Sequence, residues 1–171
     1  MYPKPIYETN RLSLYPMSRF FEAALERLHR SPAVMEKLGG IYSHEKSNEK
    51  IRENEEHWLR HGFGLWCCIE KETNEMIGRG GIRYQQLDSG RQILEVAYMF
   101  FDHVWSRGFA TELTCYCVDV AMNRLGFDQL FGVVKPENRA SQRVLEKSGM
   151  CLQQSDIVFR GEKNLLYGVC R

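Results

Sequence analysis

The stretch that most constrains this chain is Trp105-Ser106-Arg107-Gly108-Phe109-Ala110-Thr111-Glu112. Before it, residues 93–101 are apolar on both alternating faces, as a central strand covered on both sides should be. After it, residues 109–125 read as a helix with Gly126 as its stop. A strand that turns through small residues into a helix presents backbone N–H groups that have no partner inside the helix. The helix dipole adds partial positive charge at the same end, so the turn is a ready anion site, and a pyrophosphate is a natural occupant. Gly108 lacks a Cβ, which permits unusual dihedrals and lets a ligand approach the backbone closely. A glycine in such a turn also has a purely structural reading, so the surrounding motifs decide.

Two other phosphate loops are excluded. There is no Gly-x-x-x-x-Gly-Lys-Ser/Thr, and Gly78-Arg79-Gly80-Gly81 fails the Gly-x-Gly-x-x-Gly spacing because position 83 is arginine. That glycine cluster lies in a strand pattern, where it predicts a bulge or a close backbone approach.

The chain has one domain's worth of residues, 171, with 43% hydrophobic and 26% charged side chains, values ordinary for a globular protein. A net charge of +1 argues against a general nucleic-acid surface. No segment is apolar for long enough to span a bilayer. The start, Met1-Tyr2-Pro3-Lys4-Pro5, lacks the apolar stretch of a signal peptide, so cytoplasmic residence is expected. Six cysteines show no Cys-x-x-Cys spacing, and they read as small buried hydrophobes kept reduced, with no metal site.

In order, residues 11–14 predict a first strand, and Ser18 can cap a helix with Phe21, Ala24, Leu25 and Leu28 on one side. A shorter apolar piece spans 34–38. Ser47 begins a helix with Ile51, Trp58 and Leu59 on one side, ending at His61-Gly62, and Glu49, Glu53, Glu55 and Glu56 form its solvated face. Residues 65–70 and 76–84 form two strands across Thr73-Asn74, and Asp88-Ser89-Gly90 turns into the next. Residues 130–134 are a strand, 140–148 a short helix closed by Gly149, and 152–159 with 165–169 a last pair of strands around Gly161. The fold class is α/β, a single mixed and largely antiparallel sheet flanked by helices, in one domain over 1–171.

Further motifs keep the turn company. Thr9-Asn10-Arg11-Leu12-Ser13-Leu14 and Leu94-Glu95-Val96-Ala97-Tyr98 precede it. Val133-Val134-Lys135-Pro136-Glu137-Asn138-Arg139-Ala140-Ser141 and Arg143-Val144-Leu145-Glu146-Lys147-Ser148-Gly149-Met150 follow. In this order the chain resembles the Gcn5-related N-acetyltransferase (GNAT) superfamily, and within it the RimJ/RimL-like group, from Thr9 to about Val169.

The resemblance implies an N-acetyltransferase that moves an acetyl group from acetyl-coenzyme A to a primary amine, a protein N-terminus or a small molecule. Acetyl-coenzyme A would lie in the cleft where two central strands splay apart. Its pyrophosphate would meet the N–H groups of Arg107, Gly108, Ala110 and Thr111, with Phe109 in the same turn. The superfamily pattern has Gln or Arg three residues before the glycine; Trp105 stands there, as in RimJ/RimL-like sequences. The side chains of Arg107, Arg139 and Arg143 could meet phosphate oxygens, since a guanidinium is planar and permanently charged. Asn138 suits the amide-rich pantetheine arm, or a cap for the following helix.

Attack by an amine needs a neutral nitrogen, and Glu95 is the candidate base: it is the only carboxylate in the most apolar strand, and buried carboxylates accept protons nearer neutral pH. Pairing with an arginine is its structural alternative. Many superfamily members use a tyrosine four residues before a closing Gly-Phe; here Gly149-Met150 closes the motif and the tyrosine position is Leu145. Ser141 is the substitute that RimJ/RimL-like enzymes suggest for meeting the leaving thiolate, with a helix cap as its alternative. A strand N–H near Tyr98 would steady the oxyanion. The competing function is a non-catalytic acyl-coenzyme A-binding or sensing domain. Monomer and homodimer are both compatible, and acceptor choice would reside in 31–47 and 156–164.

Overall fold

Residues 65–70 are buried at every position, which a strand achieves only when both of its faces are covered. This segment is one of eight strands: β1 (Tyr7–Glu8), β2 (Leu12–Pro16), β3 (Leu65–Glu70), β4 (Glu75–Gln86), β5 (Gln92–Phe100), β6 (Gln129–Val134), β7 (Cys151–Phe159) and β8 (Glu162–Cys170). In the computed structural model, which describes residues 4–170, they form one mixed sheet in the order β1-β2-β3-β4-β5-β6-β8-β7. The helices are α1 (Glu22–His29), α2 (Pro32–Met35), α3 (His44–His61), α4 (Phe109–Asp119) and α5 (Arg139–Lys147). The expected fold class is therefore the observed one. No described helix is long and apolar enough to cross a membrane.

The chain falls into two compact units, one running up to Gly81 and including Tyr98–Phe109, the other taking Ile82–Ala97 and the chain from Ala110 onward. β4 and β5 each pass through both.

In the first unit, Leu12, Leu14, Leu25, Leu28, Ile51 and Trp66 are fully buried. Asn54, also buried, donates to the Met17 and Leu65 carbonyls at 2.8 and 3.3 Å and accepts from the Leu65 N–H at 2.8 Å. It thus ties α3 to the ends of β2 and β3. A Cβ on Gly78 would lie 2.5 Å from the Met99 carbonyl, the close backbone approach that the glycine cluster predicts. One residue of β4 is bulged out against Cys68 and Ile69.

Several boundaries differ from the sequence expectation. α3 starts three residues before Ser47: Ser43 is its cap, accepting from the Lys46 N–H at 3.2 Å. Leu59 is 89% exposed rather than on the buried side, because the buried stripe runs through Ser47, Ile51 and Asn54. Ser18 makes no capping bond, and a 3₁₀ turn over Arg19–Phe21 precedes α1. β1 was not expected. Of the cysteines, Cys67, Cys68 and Cys117 are buried but Cys115 and Cys151 are exposed; burial pushes the thiols of Cys67 and Cys117 up, away from reactivity.

In the second unit, Leu87, Ile93, Phe131, Ile157 and Leu166 form a core cluster. α4 continues as a π-helical turn over Val120–Arg124, where the Leu125 N–H reaches the Val120 carbonyl at 2.9 Å. The β7–β8 hairpin turns at Arg160 and Gly161, both left-handed with φ of 55° and 74°, the two-residue geometry that matches strand twist. Both N–H groups there donate to the Asp88 carboxylate, at 2.9 and 2.8 Å.

The first unit also buries a histidine. Arg79 Nε donates to His29 Nε2 at 3.1 Å, so Nδ1 carries the proton toward Ser47 Oγ at 2.8 Å. Burial, reinforced by the Arg79 charge, pulls the His29 pKa from 6.5 down to about 3. The unfolded chain therefore binds a proton between those values that the folded chain refuses. Stability should be fully present above pH 6.5 and fall as the pH drops toward 3, with a slope contribution of roughly 1 kcal/mol per pH unit. Denaturant unfolding at pH 4 to 7 should show this component in the wild type and lose it in His29→Gln; equal slopes would exclude His29 as its source.

Candidate functional site

The turn after β5 is held by side chains of its own unit. The Trp105 indole donates to the Phe100 carbonyl at 2.9 Å, closing the end of β5. Ser106 is left-handed with φ 61°, and Gly108 follows with φ 83°. A serine in that region costs on the order of 1 kcal/mol, so the surrounding contacts must impose it. The Arg107 carbonyl accepts from Arg11 Nη1 at 2.8 Å, and its guanidinium donates to buried Glu70 Oε1 at 2.7 Å. Thr73 Oγ1 donates to the other oxygen of Glu70 at 3.0 Å. The Phe109 ring lies under the Arg11 guanidinium at 4.3 Å and near that of Arg107 at 5.0 Å. Arg107 thus directs its side chain at Glu70, and what the turn offers an anion is its backbone. Ala110 and Thr111 open α4 and are half-buried.

The second unit contains Glu95, which is 5% exposed. A single register pair, Glu95–Phe131, joins β5 to β6 in parallel, so the carboxylate stands where those strands meet. Arg83 Nε and Nη2 both lie 3.0 Å from Glu95 Oε2. The buried carboxylate expected at this position is present, and so is the arginine partner of the alternative reading. Arg83 was missed, although the sequence held its signal. The turn at Asp88-Ser89-Gly90, closed by the Leu87 N–H on the Arg91 carbonyl at 2.9 Å, sets a register in which Arg83 faces Glu95. Tyr98 is half-buried on the last part of β5.

α5 is capped by Asn138, whose Oδ1 accepts from the Ser141 N–H at 3.2 Å. The cap role therefore belongs to Asn138, and the Ser141 hydroxyl, half-buried in the first turn, is not the helix cap. Arg139 donates to Gln142 Oε1 at 3.1 Å, whereas Arg143 is exposed. Leu145, at the family's tyrosine position, is 2% exposed and packs on Gly132 of β6, where an added Cβ would come within 2.7 Å of its side chain. Among the described residues no cluster of three or more His, Cys, Asp or Glu is placed to hold a metal ion.

Within the first unit, then, Arg107, Gly108 and Phe109 come together with Arg11 and Glu70. Within the second, Glu95 comes together with Arg83, and Asn138 with Ser141. The turn fits a pyrophosphate: its glycine is left-handed, and the space a Cβ would take is bordered only by Arg11 Nη2 at 3.4 Å.

Known proteins agree with this frame. The sequence profile described as "Acetyltransferase (GNAT) domain" matches residues 11–151. The uncharacterized protein YkkB of Bacillus subtilis (strain 168) is 32% identical over 143 residues, 83% of either chain. The crystal structure of an acetyltransferase from Agrobacterium tumefaciens str. C58 superposes with a TM-score of 0.84 at 25% identity, covering 100% of this chain and 97% of its own. A RimL ribosomal L7/L12 alpha-N-protein acetyltransferase, solved in complex with coenzyme A, reaches 0.77 at 15% identity over 96% and 97% of the two chains, a likeness of fold. A profile that spans most of the sequence and a relative this similar over most of both lengths establish that the chain belongs to the GNAT acetyltransferase family.

Proposed function

We propose that this protein is a cytoplasmic, RimJ/RimL-like N-acetyltransferase that transfers the acetyl group of acetyl-coenzyme A directly to a primary amine in a ternary complex. The observation that carries the reading is that, in a chain of this family, β5 holds one carboxylate, Glu95, buried at the position where β5 pairs with β6. The acceptor class is a protein N-terminus or a small amine.

The chemistry divides among the residues as follows. The N–H groups of Arg107, Gly108, Ala110 and Thr111 hold the pyrophosphate at the positive end of α4. Asn138 and Arg143 bind the cosubstrate from the start of α5. The amine nitrogen attacks the thioester carbonyl, and a strand N–H near Tyr98 steadies the oxyanion. Glu95 takes the amine's proton, directly or through one water. Both Arg83 contacts fall on Oε2, so Oε1 is the oxygen for this task. The C–S bond then breaks, and the Ser141 hydroxyl meets the departing thiolate.

The ion pair of Glu95 and the buried leucine at the tyrosine position favour a second reading, an acyl-coenzyme A-binding domain without turnover. Titration of acetyl-coenzyme A followed by a free-thiol assay over N-terminal peptides, polyamines and amino acids separates the two: binding without thiol release from any acceptor supports the second.

Three substitutions test the assignments. Gly108→Ala should weaken acetyl-coenzyme A binding about tenfold, or 1.4 kcal/mol, because alanine resists a φ of 83° by a similar amount; undiminished binding in calorimetry would remove the pyrophosphate from this turn. Ser141→Ala should lower turnover near the small end of the roughly hundred- to ten-thousand-fold range of acid–base effects, and unchanged turnover at saturation would leave the thiolate to depart unaided. Glu95→Gln should cut turnover at neutral pH by on the order of a hundredfold and recover partly at high pH, where the amine arrives deprotonated. A purely structural pair with Arg83 predicts lost stability and no such recovery.

A further inference from the structure

Arg11 lies far from the turn in sequence but touches three of its consecutive positions. Its Nη1 donates to the Arg107 carbonyl at 2.8 Å, its Nη2 borders the space beside Gly108 at 3.4 Å, and its guanidinium covers the Phe109 ring at 4.3 Å. The carbonyl bond is the informative one. In a trans peptide unit the C=O and the N–H of the next residue point in opposite directions. An arginine that draws the Arg107 carbonyl to one side therefore turns the Gly108 N–H to the other. The Arg107 side chain is fixed as well, because Glu70, 3% exposed, holds its Nη2 at 2.7 Å. Because glycine accepts φ of either sign and Gly108 stands at 83°, the peptide between Arg107 and Gly108 could flip at modest cost without these restraints.

We infer that Arg11, with Glu70, is a positioning residue for the phosphate turn: it locks the peptide unit whose N–H group, at Gly108, donates to the pyrophosphate of acetyl-coenzyme A. The inference rests on the reading of the turn given above. Through the Arg107 carbonyl and the Phe109 ring, Arg11 acts on the shape of the turn. Its removal therefore acts on cosubstrate affinity and leaves the acetyl-transfer step alone.

The test uses the full chain and two cosubstrates, acetyl-coenzyme A and S-acetylpantetheine, which lacks the pyrophosphate. Arg11→Met keeps an apolar side chain on Phe109 and removes the donor. Its KM and Kd for acetyl-coenzyme A should rise about tenfold with kcat within about twofold of wild type, and its KM for S-acetylpantetheine should not move. Arg11→Lys, which restores a donor and a cation over the ring, should recover part of the loss. Glu70→Gln should give a smaller rise of the same kind, and it serves as the reporter if Arg11→Met does not fold. Weakening toward both cosubstrates alike, in step with lost thermal stability, would make Arg11 a structural residue and overturn the inference. Unchanged affinity in Arg11→Met beside a weakened Gly108→Ala would overturn the inference while leaving the turn as the phosphate site. Unchanged affinity in both variants would overturn the reading of the turn itself.

Discussion

The sheet depends on one economy of hydrogen bonding: β5 and β6 are joined by a single register pair, Glu95–Phe131. A parallel ladder satisfies the backbone of both strands at even intervals, and buried N–H and C=O groups must be paired somewhere. Ile93, Leu94 and Val96 are buried on β5, and Leu130, Phe131 and Val134 on β6, so the edges these two strands turn toward each other sit among apolar side chains with one register pair between them, while their other edges pair with β4 and β8. A ligand arm built from amides supplies donors and acceptors in the form such strands lack, which is why the proposed pantetheine chain suits this place chemically. The same departure from regular pairing gives a buried carboxylate a reason to be there, since Glu95 occupies the point of contact.

How much of this could be read in the sequence follows the range of each interaction. The strand, turn and helix around Gly108 were legible because φ preference, helix-end chemistry and periodicity are local. Asn138 was legible as a cap for the same reason. The start of α3 at His44 behind a Ser43 cap, rather than at Ser47, turned on tertiary contact: Ser47 lies within the helix and is engaged by buried His29. Leu59 at 89% exposure shows how a helix with few apolar residues leaves its facing ambiguous by one position. Arg83 was recoverable by counting across the Asp88-Ser89-Gly90 turn. The grip of Arg11 and Glu70 on Arg107 was not, because each joins segments separated by dozens of residues and leaves no periodic trace.

Arginines near a turn proposed to hold phosphate invite a Coulombic account of binding. Here Arg107 is committed to Glu70, and Arg11 to a carbonyl and a ring. Both contacts give these arginines a geometric part in shaping the turn. Affinity drawn from oriented amides depends on the shape of the loop, whereas affinity drawn from mobile surface charge is eroded by salt.

The hairpin tip at Arg160 and Gly161 carries this thought further. Two successive left-handed residues aim their N–H groups at the Asp88 carboxylate, at 2.9 and 2.8 Å, a concave nest of amides around an anion. The chain thus contains, in Asp88, its own resident guest for the kind of receptor that the Gly108 turn is proposed to offer a visiting phosphate. It is an internal yardstick against which the strength of the proposed site can be gauged in the same molecule.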